Sequence, residues 1–285
     1  MSLGPRVIWR CRGVAFDFAE RPLVMGIVNV TPDSFSDGGR HDEADAALRH
    51  CEQLLRDGAD ILDIGGESTR PGARIPDADE ELRRVLPVVR GAVTLGVPVS
   101  VDTSSPAVMR AVLDAGADII NDVRALQREG AVEAVAAHAQ AGVCLMHMRG
   151  EPATMQQFTD YDDVVHAVRD FLRERVALLQ AGGVSKDRIV LDPGIGFAKT
   201  PEHNWILMQR QRELLVDGVP LLAGWSRKSS LGLLTGRSVG ERLVPSVAAA
   251  LAAVQHGARI VRVHDVRETV DAFKVWAASG LAAVR

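Results

Sequence analysis

Asp102, Asn121 and Asp192 each close a short apolar run, and a set of cations, Arg70, Lys228 and Arg262 with the imidazole of His264, is distributed along the same chain. Two carboxylates and an amide suit a flat heterocycle rich in N–H donors, because a carboxylate accepts two parallel hydrogen bonds from an amidine-like edge as it does from arginine. Arginines, a lysine and a histidine suit an anionic leaving group. Asn29 adds a hard oxygen of the kind magnesium uses when it keeps its waters and bridges to a substrate phosphate.

These residues can act together only if the fold gathers them. The run Leu23-Val24-Met25-Gly26-Ile27-Val28 has no polar alternation, which suits a strand covered on both faces, as in a parallel sheet. It gives way to Asn29-Val30-Thr31-Pro32-Asp33-Ser34-Phe35-Ser36-Asp37-Gly38-Gly39, where Pro32 and the glycine pair stop it. The pattern of strand, polar loop and helix then repeats. Further strands are expected at 60–64, 97–102, 119–121, 143–147, 189–192, 220–224 and 260–264, with amphipathic helices at about 42–57, 77–93, 164–179, 247–254 and 268–278. Gly58, Gly116 and Gly257 recur at helix-to-strand joints and read as C-caps. Eight such repeats without a composition break, and without a Gly-x-Gly-x-x-Gly turn after the first strand, favour one (β/α)8 TIM-type barrel over an open doubly wound sheet. Residues 7–18 should form a short N-terminal hairpin that plugs the floor, and the chain reads as a single domain over 1–285. In such a barrel the chemistry lies at the carboxyl ends of the strands, where the polar residues fall.

Composition is consistent with this. With 285 residues, 47% hydrophobic and 25% charged, the chain can bury a large core, and a net charge of -4 gives no reason to expect nucleic-acid or anionic-membrane binding. Residues 1–12 lack the apolar run of a signal peptide and no segment approaches membrane-spanning length, so a cytoplasmic protein is expected. Cys11, Cys51 and Cys144 have spacings that suit neither a disulfide framework nor a zinc cluster and read as small buried hydrophobes.

The loop sequences resemble a known family. Asn29 through Gly39, Asp63-Ile64-Gly65-Gly66-Glu67-Ser68-Thr69-Arg70-Pro71-Gly72, Asp192-Pro193-Gly194-Ile195-Gly196-Phe197 and Ser226-Arg227-Lys228-Ser229 look like the signatures of dihydropteroate synthase, in order and across nearly the whole chain. The resemblance implies a transferase that joins a pterin-methyl diphosphate to p-aminobenzoate by an SN1-like displacement, releases diphosphate, uses magnesium and is the sulfonamide target. It implies a homodimer, built through helices near the carboxyl end. It places Asp102, Asn121 and Asp192 on the pterin edge with Lys228 near the ring, and Met146, Phe197 and Gly224 around that pocket. Asn29, Arg70, Arg262 and His264 match the diphosphate and magnesium site, and Thr69, Pro71 and Ser229 border the aminobenzoate. Trp225 and Arg149 depart from the family pattern and bear on pocket shape.

Other readings of the same residues are concrete. A strand-end Asp can simply cap the next helix, and His147 reads as a structural histidine. Arg227 suits either a loop ion pair or a substrate contact, while His41, His50, His138 and His166 read as solvated. Lys228 as an aldolase-like Schiff base would leave the first two loops without purpose. A folate-dependent methyltransferase on a related barrel, or a catalytically idle homologue, would not need the whole cation set. The loops at 29–39 and 65–75 are expected to become ordered only when magnesium and diphosphate bind.

Overall fold

The expected repeat of strand, polar loop and helix is realised as the wall of a barrel with helices around it. The structure is a computed structural model that describes residues 7–18, 21–30, 40–67, 76–216 and 218–280, without the side chains of 40–42. Thr69, Arg70, Pro71, Phe35 and most of both long loops lie outside the described residues. A two-stranded antiparallel hairpin, β1 (Ile8–Cys11) and β2 (Val14–Asp17), precedes the wall. The wall comprises β3 (Leu23–Asn29), β4 (Ile61–Gly65), β5 (Val99–Asp102), β6 (Ile119–Asp122), β7 (Gly142–Met146), β8 (Ile189–Asp192), β9 (Leu222–Ala223) and β10 (Ile260–Val263). All pair in parallel in the order β8-β7-β6-β5-β4-β3-β10-β9, and a bridge between Leu191 and Leu221 joins the two ends.

The seventh barrel strand is shorter than the expected 220–224: only Leu222 and Ala223 are strand residues. Pro220 has no N–H for the ladder, and its carbonyl instead accepts from Leu191 N at 3.0 Å. Around the wall run α1 (Arg40–Arg56), α2 (Ala78–Ala92), α3 (Pro106–Asp114), α4 (Ala131–Ala136), α5 (Val164–Ala181), α6 (Pro201–Gln209), α7 (Ser229–Thr235), α8 (Leu243–Gln255) and α9 (Val266–Ala278). Gly58, Gly116 and Gly257 adopt φ of 99°, 111° and 106°, the left-handed geometry that ends a helix and sends the chain back to the wall. Among the described residues no helix is long and apolar enough to cross a membrane.

Side chains of alternate wall residues point into the barrel. At its amino end these are Leu23, Met25, Ile61, Ile119, Cys144, Val190, Leu222 and Ile260, which form one apolar cluster with Trp9, Cys11 and Phe18. The hairpin therefore plugs the floor, as its sequence suggests. Trp9 stacks on Phe16 with ring centroids 5.6 Å apart, and its indole N–H donates to the Arg188 carbonyl at 3.0 Å. The three cysteines are buried and free.

Candidate active site

Counting up each wall strand in steps of two from the floor reaches the other end of the interior, and its chemistry changes at once. Above Ile61 stands Asp63; above Ile119, Asn121; above Cys144, Met146; above Val190, Asp192; and above Ile260, Arg262 followed by His264. Ser100 and Asp102 continue this layer on β5. Period-two geometry thus brings Asp102, Asn121, Met146, Asp192, Gly224, Arg262 and His264 to the mouth of one barrel. Asn29 is the exposed last residue of β3, opposite Gly65 of β4.

Arg262 is the hub of this mouth. Its Nε donates to Asp63 Oδ2 at 2.6 Å and a terminal nitrogen donates to Asp102 Oδ2 at 3.0 Å. Burial opposes the charge on Arg262, yet the fields of Asp63 and Asp102 outweigh it and raise the pKa. Asp102 responds in the opposite sense. Burial pushes its carboxyl up to about 8; Arg262 pulls it back, while Asp63, Glu67 and Asp122 add to the rise. Asp192 is also raised by burial, against the Gly194 N–H that donates to it at 2.7 Å and the nearby Lys228, Arg262 and Lys199. Asp102 and Asp192 therefore resist ionisation more than exposed carboxyl groups do.

Lys228 precedes α7 and reaches back over the mouth, its Nζ 4.2 Å from the centroid of the Phe197 ring. Burial pulls its pKa down to about 8, with Asp192 resisting. Phe197 packs with Met146, Val123, Met148, Met155 and Ala198, an apolar wall beside the polar groups. Gly194 holds φ of 70°, and a side chain there would come within 2.0 Å of the His147 carbonyl, so the loop after β8 can lie this close only with glycine. A Cβ on Gly224 would meet only Asp192 Oδ2, at 3.9 Å, which leaves open space in front of that carboxyl. Ser229 is exposed at the start of α7.

His264 is held by Ser226. The serine oxygen accepts from the His264 backbone N–H at 3.1 Å, so its own proton is free to donate to His264 Nδ1, 2.9 Å away. Burial, with Arg227 and Arg262 adding to it, lowers the imidazole pKa to about 4. In this pocket His264 is thus a neutral ring, which presents Nε2–H when Ser226 donates to Nδ1, and not the cation its grouping with the arginines suggests.

The undecided residues separate cleanly. Arg227 pairs with Asp265 at 2.6 Å and donates its backbone N–H to Ser246 Oγ at 2.9 Å, a loop-holding role. His147 is buried against Lys199, whose ammonium donates to its Nδ1 at 3.0 Å and to the Phe197 carbonyl at 2.8 Å. Burial first, then Lys199, drives the His147 pKa down to about 2. Arg149 lies over the Tyr161 ring at 3.8 Å, and Trp225 packs beside Trp205 at 4.9 Å.

Three groups at the mouth carry roles that the sequence alone does not assign. Asp63 opens the Asp63-to-Gly72 motif, yet its role shows only once it stands as a lone charge in a wholly buried strand. Lys199 carries no local signal. Arg124, buried, ties the rim by bridging Glu67 at 3.0 Å, Glu151 at 2.7 Å and Ser104 Oγ at 2.8 Å, and its partners come from three different loops.

Comparisons with known proteins agree with this geometry. Residues 25–264 match the family described as pterin binding enzyme. Dihydropteroate synthase of Neisseria meningitidis serogroup B is 54% identical over 268 residues, covering 92% of this chain and 94% of that protein. The structure of Xanthomonas albilineans dihydropteroate synthase with 4-aminobenzoic acid superposes with a TM-score of 0.90 at 50% identity, covering 98% of this chain and 100% of the other. That of the Burkholderia cenocepacia enzyme complexed with 7,8-dihydropteroate gives 0.88 at 49% identity, covering 98% of each chain. With a family match spanning most of its length and relatives aligned nearly end to end, the chain belongs to the pterin-binding enzymes and, within them, to the dihydropteroate synthase family.

Proposed function

We propose that this chain condenses 6-hydroxymethyl-7,8-dihydropterin diphosphate with p-aminobenzoate, giving 7,8-dihydropteroate and diphosphate in folate biosynthesis. The observation that carries the reading is the barrel mouth itself. Asp102, Asn121 and Asp192 offer acceptors at one level of the interior, and Arg262 and Lys228 supply cations beside them.

The acceptors take the N–H edge of the pterin, and Met146, Phe197 and Gly224 bound its ring. Arg262 and the His264 ring are assigned to the diphosphate and Ser229 to the aminobenzoate; the family resemblance adds Arg70 to the first set and Thr69 and Pro71 to the second. The carbon–oxygen bond to diphosphate breaks with its electron pair leaving on oxygen. The exocyclic methylene becomes a cation conjugated with the ring, and the amine lone pair of p-aminobenzoate closes the new carbon–nitrogen bond. The proton then leaves the new ammonium for solvent or the released diphosphate. An arylamine is neutral at working pH, so the protein need supply no strong base. Its work is electrostatic: the fixed cations stabilise the departing anion and the buried carboxyl groups steady the electron-poor ring in a preorganised site.

Magnesium fits the donor chemistry at the end of β3. Among the described residues no cluster of three acidic, histidine or cysteine side chains could hold a metal, and Asn29 offers one exposed, neutral, hard oxygen. That suits an ion held partly by substrate phosphates. Asn29 would hold the ion there, and the ion would supply positive charge against the leaving diphosphate. Exposed Leu233 and Leu234 on α7, Val244 on α8 and Val275 on α9 support a homodimer formed through this carboxyl-terminal face. The chain is read as one cytoplasmic pterin-binding domain, in which sulfonamides compete with p-aminobenzoate.

Turnover of the pterin diphosphate by purified protein tests the reading. Dihydropteroate should form only with p-aminobenzoate present, with one diphosphate released for each product molecule. Failure to form dihydropteroate from the two substrates overturns it.

A further inference from the structure

The residues on the pterin edge are themselves held by a group with no part in the proposed contacts. Asp63 is completely buried at the centre of β4. Its Oδ2 accepts both from Arg262 Nε at 2.6 Å and from Asn121 Nδ2 at 3.2 Å. Among the described residues its other oxygen, Oδ1, is buried without a hydrogen-bond partner, as is Oγ of Ser100, the residue beside it in the β4–β5 register. A carboxylate engaged so unevenly is uncommon, because buried polar atoms are nearly always satisfied.

We propose that Asp63 is a positioning residue that sets what Asn121 and Arg262 present to the ligand, and thereby makes the pocket selective for a donor-bearing pteridine edge. The inference rests on the pterin reading above. An ion-paired carboxylate can only accept, so the amide of Asn121 must turn its NH2 towards Asp63 and leave its carbonyl oxygen for the ligand. With the ionised forms of Asp102 and Asp192 beside it, all three recognition groups then offer acceptor oxygens. A 2-aminopteridine places N–H groups against them. A 2-oxo pteridine places an oxygen there, and oxygen facing oxygen leaves both unpaired in a site shielded from water. Asp63 also occupies the Nε edge of Arg262, which directs the terminal nitrogens towards Asp102 and the mouth.

Asp63→Asn keeps the shape and one acceptor but adds a donor, which frees Asn121 to turn its amide over. Calorimetry on wild type and variant, with 6-hydroxymethylpterin and its 2-oxo (lumazine) counterpart, reads the consequence. The wild type should prefer the 2-amino ligand, and the variant should lose roughly tenfold or more of that preference, the size of one discriminating hydrogen bond. Asp63→Ser, which can likewise donate, is the second variant and should move the ratio in the same direction; thermal melting verifies that each is folded. An unchanged preference in folded variants, whether both affinities hold or both fall equally, overturns the proposal, since a merely structural Asp63 would not alter selectivity. Failure of the wild type to bind either pteridine would instead count against the pterin reading.

Discussion

At the floor of the barrel Met25, Ile61, Ile119, Val190 and Ile260 close around Trp9, while one step higher on the same strands stand Asp63, Asn121, Asp192 and Arg262. Both layers are buried apart from a partly exposed Arg262, but for opposite energetic reasons. A large apolar side chain transferred to the floor stabilises the fold by about 1.5–3 kcal/mol. A charge held at the mouth costs free energy to desolvate, and the cost is offset only while its partners remain. The difference teaches that the floor carries stability and the mouth carries a prepared electrostatic field, and that the first makes the second tolerable.

Removing the plug is the strongest way to probe the comparison. Trp9→Ala should cost about 3–5 kcal/mol of stability, since it opens a cavity and leaves the Arg188 carbonyl without its indole donor. Folded variant should bind pterin as the wild type does. Denaturant unfolding and pterin calorimetry measure both, and a large affinity loss in folded protein would break the separation of roles.

Arg262→Ala tests the mouth. It strands Asp63 and Asp102, both tied to the guanidinium, and breaking a buried pair in this way typically costs about 3–5 kcal/mol. Turnover should fall strongly and stability should fall with it. The double pairing is the reason to expect both losses together. A variant as stable as wild type would mean that the carboxyl groups simply take up protons.

Asp192→Asn should separate the two properties more gently. Pterin affinity should drop by about 1.5–3 kcal/mol, the range for a hydrogen bond to a charged group. Stability should hold or rise, because burial disfavours the ionised carboxyl. Calorimetry beside thermal melting decides, and loss of stability without loss of affinity would make Asp192 a structural residue.

The smallest effect is in the pH dependence. Asp102 is raised to about 8, so its ionised, accepting form grows as pH rises; Lys228 is lowered to about 8, so its charge is lost over the same interval. Pterin affinity of the free enzyme should therefore peak near pH 8 and decline on both sides, the limbs belonging to the coupled cluster. Asp102→Asn should flatten the acid limb and Lys228→Met the alkaline one. A profile flat from pH 6 to 10 would contradict the coupling.

Much of the fold is legible because its signals are local. Apolar runs stop at polar loops, and Gly58, Gly116 and Gly257 mark the returns to the wall at positive φ. Parity along each strand even sorts Arg262 and His264 onto one face before any partner is known. Short β9 is less legible, since Pro220 ends its ladder sooner than an apolar run suggests.

Local sequence specifies the set of strands, their punctuation and the polar residues at their carboxyl ends, because each depends on neighbours a few positions away. The tertiary structure alone decided who meets whom. Arg262 reaches Asp63 across 199 positions and Asp102 across 160, contacts that exist only because strand register aligns β10, β4 and β5 around a closed wall. It also decided protonation: His264 is neutral and Asp102 resists ionisation because burial and the surrounding charges act on them together. Desolvation and charge proximity are properties of a volume, and no stretch of chain encodes a volume until the barrel closes.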